Sequence, residues 1–205
     1  PIQAQCIPHI LQGCDLIGIA QTGTGKTAAY LLPMLTLLAR EHIDADAVNC
    51  LIMSPTRELA QQIDQALQGF SYYTGINGVA VYGGNDGVRF EQERKSFQQG
   101  ADIVIATPGR LITHLQLGNL DLSRTTHLIL DEADRMLDMG FFDDVTKIIE
   151  KVKNRRNLGL FSATISQEVM TVSWMYQRDE VEITVPADTD NRPDITPVFH
   201  HLPAA

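Results

Sequence analysis

A mostly parallel β-sheet with helices on both faces is the fold this sequence predicts, on three observations. Apolar, β-branched runs alternate with helical patterns along the whole length, which is the signature of repeated strand–helix units. The strand runs are apolar throughout instead of alternating, as strands buried on both faces should be. Nearly every segment of unusual composition follows directly on such a run. In a parallel sheet those segments share one edge, the carboxyl ends of the strands, where open α/β sheets bind ligands.

The elements follow in order. An apolar strand over Leu16–Ala20 runs into "AQTGTGKT" (Ala20 to Thr27), which opens a helix over Lys26–Arg40. The strand Cys50–Ser54 leads through "PTRELA" (Pro55 to Ala60) into a helix over Arg57–Phe70, with Thr56 placed to cap it. Val79–Tyr82 ends at Gly83-Gly84. A helix over Val88–Gln98 follows, in which Arg89, Arg94 and Lys95 read as a solvated face with Glu91 and Glu93. Ile103–Thr107 ends in "TPGR" (Thr107 to Arg110), which opens a helix over Gly109–Gln116. Leu128–Asp131 ends in "DEAD" (Asp131 to Asp134), with a helix over Phe142–Val152 beyond it. Gly159–Ser162 ends in "SAT" (Ser162 to Thr164) before a helix over Gln167–Tyr176. A last strand, Val181–Val185, precedes the Pro- and Asp-rich "PADTDNRPDITP", which reads as a linker. The expected organisation is one domain over residues 1–186 and a linker over 187–205.

Composition bounds the function. The 205 residues suffice for one sizeable core, and 44% hydrophobic with 20% charged residues describes an ordinary globular chain. The longest apolar runs are too short to span a bilayer, and no secretory signal pattern is present. Cys6, Cys14 and Cys50 match no metal-ligand spacing and read as reduced thiols, which favours a cytoplasmic setting. The formal net charge of -9 weighs against nucleic-acid binding by bulk electrostatics. Any such contact must be local, made by a few cations and helix N-termini.

The segments carry specific chemistry. In Ala20–Thr27, Gly23 and Gly25 let the backbone curl so that successive N–H groups face a phosphate, aided by the helix N-terminus. Lys26 can reach the β- and γ-phosphates of a nucleotide, and the Thr27 hydroxyl can ligate Mg²⁺. Asp131, Glu132 and Asp134 crowd the end of a buried strand, where charge is costly unless compensated. Alone, such a cluster reads as an acidic helix start. With Lys26 and Thr27 on the same sheet edge it reads as a cation site, Asp131 serving Mg²⁺ and Glu132 the attacking water. Ser162 and Thr164 read by default as hydroxyls capping the next helix. Thr107-Pro108 places a cap and Pro at the first helical position, so that helix offers free N–H groups to an anion. Arg57 beside Thr56 is a phosphate partner, and Gly83-Gly84 permits close backbone approach. His9, His114 and His127 show no inferable partners.

This ordered series resembles the DEAD-box family of ATP-dependent RNA helicases, specifically its first RecA-like P-loop domain, over essentially the whole chain. Pro1-Ile2-Gln3 is similar to the end of the Q motif. The resemblance implies that Gln3 reads the adenine edge and that Gln21, Thr22, Gly23, Thr24, Gly25, Lys26 and Thr27 cradle ATP with Mg²⁺. Lys26, Asp131 and Glu132 would be catalytic, with Thr27 and Asp131 at the metal. Asp134 would link to Ser162 and Thr164, coupling the nucleotide site to duplex disruption. Pro55, Thr56, Arg57, Gly83, Gly84, Thr107, Pro108, Gly109 and Arg110 would follow the RNA sugar–phosphate backbone without reading sequence. Two departures bear on activity: Ala20 stands where the P-loop pattern has Gly, and the upstream aromatic of the Q motif is not in this chain. A second RecA-like domain, the expected partner that carries the arginine fingers, is not in it either. The chain is therefore expected to bind nucleotide but to hydrolyse it weakly. Alternatives are a nucleotide-gated RNA clamp or scaffold module, or another RecA-like nucleic-acid translocase.

Overall fold

A computed structural model gives the architecture and describes residues 2–21, 25–41, 47–83 and 87–185. In chain order the elements are α1 (Ile2–Leu11), β1 (Leu16–Ile19), α2 (Lys26–Arg40), β2 (Cys50–Met53), α3 (Arg57–Ser71) and β3 (Gly78–Val81). They continue with α4 (Gly87–Gln99), β4 (Ile103–Ala106), α5 (Pro108–Gln116), β5 (His127–Leu130), α6 (Ala133–Asp138) and α7 (Phe142–Lys151). β6 (Asn157–Ser162), α8 (Gln167–Tyr176) and β7 (Val181–Thr184) complete the described chain. The seven strands form one sheet in the order β3-β4-β2-β5-β6-β1-β7, and every neighbouring pair is parallel. The doubly covered α/β fold expected from the sequence is the fold observed.

Alternation along each strand divides the core in two, because successive side chains leave opposite faces of a sheet. Ile17, Leu51, Met53, Val104, Leu128, Leu130, Leu158 and Leu160 join residues of α5, α6, α7 and α8 in one cluster. Leu16, Cys50, Ile52, Ile103, Ile105, Ile129 and Phe161 join residues of α1, α2 and α3 in the other. Among the described residues, no helix is long and apolar enough to cross a membrane.

Two helices escaped the sequence reading. α1 buries Ile2, Cys6 and Ile10, an i, i+4, i+8 stripe of the kind that marks a helix. Pro8 inside it masks the signal, since proline lacks the N–H a helix interior needs. α6 spans only six residues, too few for a periodicity to show. Most remaining boundaries shift by one or two residues, as helix and strand ends do; the strand over Gly159–Ser162 begins earlier, at Asn157.

Strand order also sorts the special segments. β3, β4 and β2, which end near Gly83, Thr107 and Pro55, lie together on one side. β5, β6 and β1, which end near Asp131, Ser162 and Ala20, lie together on the other. Residues 187–205, together with Pro1, Thr22, Gly23, Thr24 and Gly84, lie outside the described residues.

Candidate functional site

β6 separates β1 from β5, so the loop after β1 and the acids after β5 stand two strand spacings apart, about 10 Å. Long side chains from α2 close that gap. Gly25 sits at the N-cap of α2 with φ 80° and no side-chain cap bond, a left-handed conformation that glycine adopts without strain. The first turn of α2 then carries Lys26, Thr27 and, one turn on, Tyr30 towards Asp131. Lys26 Nζ lies 3.1 Å from Asp131 Oδ1 and 4.0 Å from Glu132 Oε2. The Tyr30 hydroxyl donates to Asp131 Oδ2 at 2.7 Å, and the Glu132 N–H donates to Oδ1 at 2.8 Å. Asp131 is fully buried and Lys26 nearly so. Such a pair persists because each charge compensates the other and Asp131 also accepts hydrogen bonds.

Glu132 itself occupies the left-handed region, with φ 49°, which is uncommon for a residue with a side chain. Its carboxylate accepts from Arg135 Nη1 at 3.2 Å. Gln3, presented by α1, donates its amide to the Gly25 carbonyl at 3.3 Å, so it rests on the turn that opens α2. Gln21 is exposed just beyond β1.

The donor set suits Mg²⁺ held chiefly by phosphates and water. Among the described residues there is no group of three or more His, Cys, Asp or Glu able to hold a metal ion. Magnesium takes one or two protein oxygens in nucleotide sites and leaves the rest to phosphate and water. The Asp131 carboxylate, held by the Tyr30 hydroxyl, and the Thr27 hydroxyl are oxygens of that kind.

Beside this cluster, Asp134 ties the end of β5 to the end of β6. Its Oδ2 accepts from the Thr164 hydroxyl at 2.9 Å and the Thr164 N–H at 3.1 Å. Its own N–H donates to Ser162 Oγ at 3.2 Å, and Ser162 Oγ donates to the Thr164 carbonyl at 2.7 Å. Partial burial pushes the Asp134 carboxyl up, but hydrogen bonds from Thr164, the Arg135 N–H and Ser162 together hold it below its ordinary value. The default reading of "SAT" as a helix cap is thus replaced: Ser166 caps α8, accepting from the Val169 N–H, and Ser162 and Thr164 serve Asp134.

On the other half of the edge, Pro55, Arg57, Glu58, Gly83, Thr107, Gly109, Arg110 and Phe141 line an open depression of about 470 Å³. Thr56 caps α3, accepting from the Leu59 N–H at 3.2 Å, and leaves Arg57 exposed beside the Tyr82 ring. Thr107 holds the N-cap position of α5 with Pro108 at its start, yet makes no side-chain cap bond. The start of α5 thus carries no side-chain cap from Thr107.

The structure corrects two readings here. Glu93 is not part of a solvated face; it is buried. Its carboxylate accepts from Arg110 Nε at 2.8 Å and contacts His114 Nε2 at 2.9 Å, with Arg89 Nε 3.5 Å away. Arg110 accordingly lines the depression with a guanidinium already paired and set over the Phe90 ring, 4.8 Å from its centroid. His114, which showed no partner in the sequence, is fully buried, stacks on Phe90 at 4.1 Å and pairs with Asn119 at 2.9 Å. A spacing signal existed: Glu93 and Phe97 fall on one stripe of α4 and are its buried residues. Charge hid it, because glutamate is rarely buried unless paired. His127 also has partners, Asn157 at 2.8 Å and Glu41 at 3.0 Å. It lies at the first residue of β5, the edge opposite the site.

Comparison with known proteins agrees with this geometry. The family model for the DEAD/DEAH box helicase matches residues 1–172. The chain is 44% identical over 197 residues to the ATP-dependent RNA helicase DeaD of Escherichia coli, covering 96% of this chain and 30% of that protein. It is 41% identical over 196 residues to DeaD of Haemophilus influenzae, covering 95% of this chain and 31% of that one. The chain thus spans about a third of the length of these relatives. Two solved structures superpose well. A hypothetical ATP-dependent RNA helicase from Sulfolobus tokodaii has a TM-score of 0.80 at 38% identity, over 90% of this chain and 52% of that one. The yeast DEAD-box splicing factor Prp28 has a TM-score of 0.83 at 33% identity, over 91% of this chain and 45% of that one. With the ordered motifs and the all-parallel sheet in place, and the family model matched over most of its length, the chain belongs to the DEAD/DEAH box helicase family.

Proposed function

We propose that this chain is the nucleotide-binding half of an ATP-dependent RNA helicase, working with a second RecA-like domain. The observation that carries the reading is the buried cluster of Lys26, Asp131 and Tyr30 at the carboxyl edge, beside an open depression bounded by Arg57 and the start of α5. Lys26 binds the β- and γ-phosphates, Gly25 and its neighbours in the loop offer N–H groups, and Gln3 reads the adenine edge. Bound Mg²⁺, held by Thr27 and Asp131, would neutralise charge developing on the phosphates. Glu132 orients the attacking water and takes its proton. Asp134, through Ser162 and Thr164, transmits the state of β5 to β6. Arg57, Gly83 and the N-terminus of α5 bind RNA phosphates, with Arg110 held beside them by Glu93.

Such contacts read the backbone and not the bases, so binding should be insensitive to sequence and weaken with salt. Without an arginine finger, worth roughly 10³–10⁵ in turnover in phosphoryl-transfer enzymes that use one, hydrolysis by this chain alone should be slow. The test is ATP hydrolysis with and without single-stranded RNA, with binding of a fluorescent ADP analogue followed in the same samples. Nucleotide binding without RNA-stimulated turnover is expected. Brisk RNA-dependent turnover by this chain alone would overturn the half-enzyme reading, and absence of nucleotide binding would overturn the site.

A further inference from the structure

The two oxygens of Asp131 are held differently. Oδ1 receives both Lys26 Nζ at 3.1 Å and the Glu132 N–H at 2.8 Å, whereas Oδ2 receives the Tyr30 hydroxyl at 2.7 Å. Tyr30 lies one turn along α2 from Lys26, so one phenol of the same helix reaches the carboxylate assigned to the cation. The ring is fully buried and packs on Phe161 with centroids 5.2 Å apart. Gly18 makes room for Phe161, since a Cβ there would lie 2.9 Å from that ring.

Lys26 cannot serve Asp131 and a phosphate equally. When its Nζ turns to a nucleotide, Oδ1 keeps the Glu132 N–H, and Oδ2 depends on Tyr30. We propose that Tyr30 is a positioning residue for the metal-bound nucleotide: its hydroxyl fixes the Asp131 carboxylate in one arrangement, and keeps the buried carboxylate hydrogen-bonded after Lys26 leaves. This inference rests on the nucleotide–Mg²⁺ reading of the site.

Tyr30→Phe keeps the ring and its contact with Phe161 but cannot donate. The experiment measures affinity for a fluorescent ADP analogue in excess EDTA and in Mg²⁺, with thermal melting of the nucleotide-free protein alongside. The gain in affinity on adding Mg²⁺ should fall by about tenfold in Tyr30→Phe, as for loss of a hydrogen bond to a charged group. Affinity in EDTA should change little. Phe161→Leu loosens the packing while leaving the hydroxyl, so it should lower the melting temperature but retain the Mg²⁺-dependent gain. An undiminished gain in Tyr30→Phe, an equal loss with and without Mg²⁺, or the same loss in Phe161→Leu would overturn the proposal. A wild-type chain that binds the analogue with no Mg²⁺ dependence would overturn the metal reading as well, which separates the two failures.

Discussion

The two halves of the sheet edge are built on opposite principles. Around β5, β6 and β1, Lys26, Tyr30, Asp131 and Ser162 are buried, and polar groups bond one another across long stretches of chain, as Tyr30 does Asp131. Around β3, β4 and β2 the depression is open, Arg57 is exposed, and its rim holds the start of α5. Buried charge demands fixed geometry, because an unpaired ion inside a protein costs several kcal/mol. An exposed cation can move to meet a flexible backbone and contributes little to the fold. The first half is what the proposed triphosphate would need, and the second what the proposed RNA backbone would need.

The largest effect should come from breaking the dry half. Lys26→Ala leaves Asp131 buried without its cation, and should cost about 3–5 kcal/mol in denaturant unfolding of the nucleotide-free protein. A loss below about 1 kcal/mol would mean that water reaches the pair and that the contrast is overstated.

Glu93 sharpens the contrast, because it places a buried anchor beneath the open half. Glu93→Ala removes the acceptor shared by Arg110 and His114, and should cost about 1–3 kcal/mol while also weakening RNA binding. Equal RNA affinity in that variant would show that Arg110 needs no anchor.

Asp134 links the edge by groups that are only partly buried. Its folded-state carboxyl is held below the ordinary 3.8, so its contribution to stability is present above that value and is lost as pH falls through the lower folded value. The stability difference between the wild type and Asp134→Asn should therefore be present at neutral pH and shrink below about pH 3.8. A difference that does not change with pH would mean that the bonds from Thr164 do not depend on the charge.

The smallest effect on stability should come from Arg57→Ala, within about 0.5 kcal/mol of wild type. In RNA titrations the same variant should bind more weakly and lower the salt slope by about one. A loss of stability without a change in the slope would make Arg57 structural.

Local rules made the first half legible. The strand before Ala20, the helix starting at Lys26 and the strand leading to Asp131 can each be read within a short window, since apolar runs and helix starts are short-range signals. The parallel sheet followed from alternation, and the shared edge followed from the parallel sheet. Tyr30 was not legible. An aromatic on an apolar helix face looks like core, and it is core; only its hydroxyl, aimed at a residue 101 positions away, gives it a second role. Glu93 failed for the converse reason, a charge that looks solvated until its partners on α5 are in place.

By itself the sequence determined the order of the strands and of every helix but α1 and α6, the parallel sheet, and the placing of the special segments at strand ends, all of which follow from local pattern and chain connectivity. Tertiary structure alone decided that β6 would stand between β1 and β5, and that Lys26 and Tyr30 would cross the gap to Asp131. It also decided that Glu93 would be buried under Arg110. Strand order, burial and the pairing of buried charges depend on contacts between distant parts of the chain, and no window of sequence contains both partners.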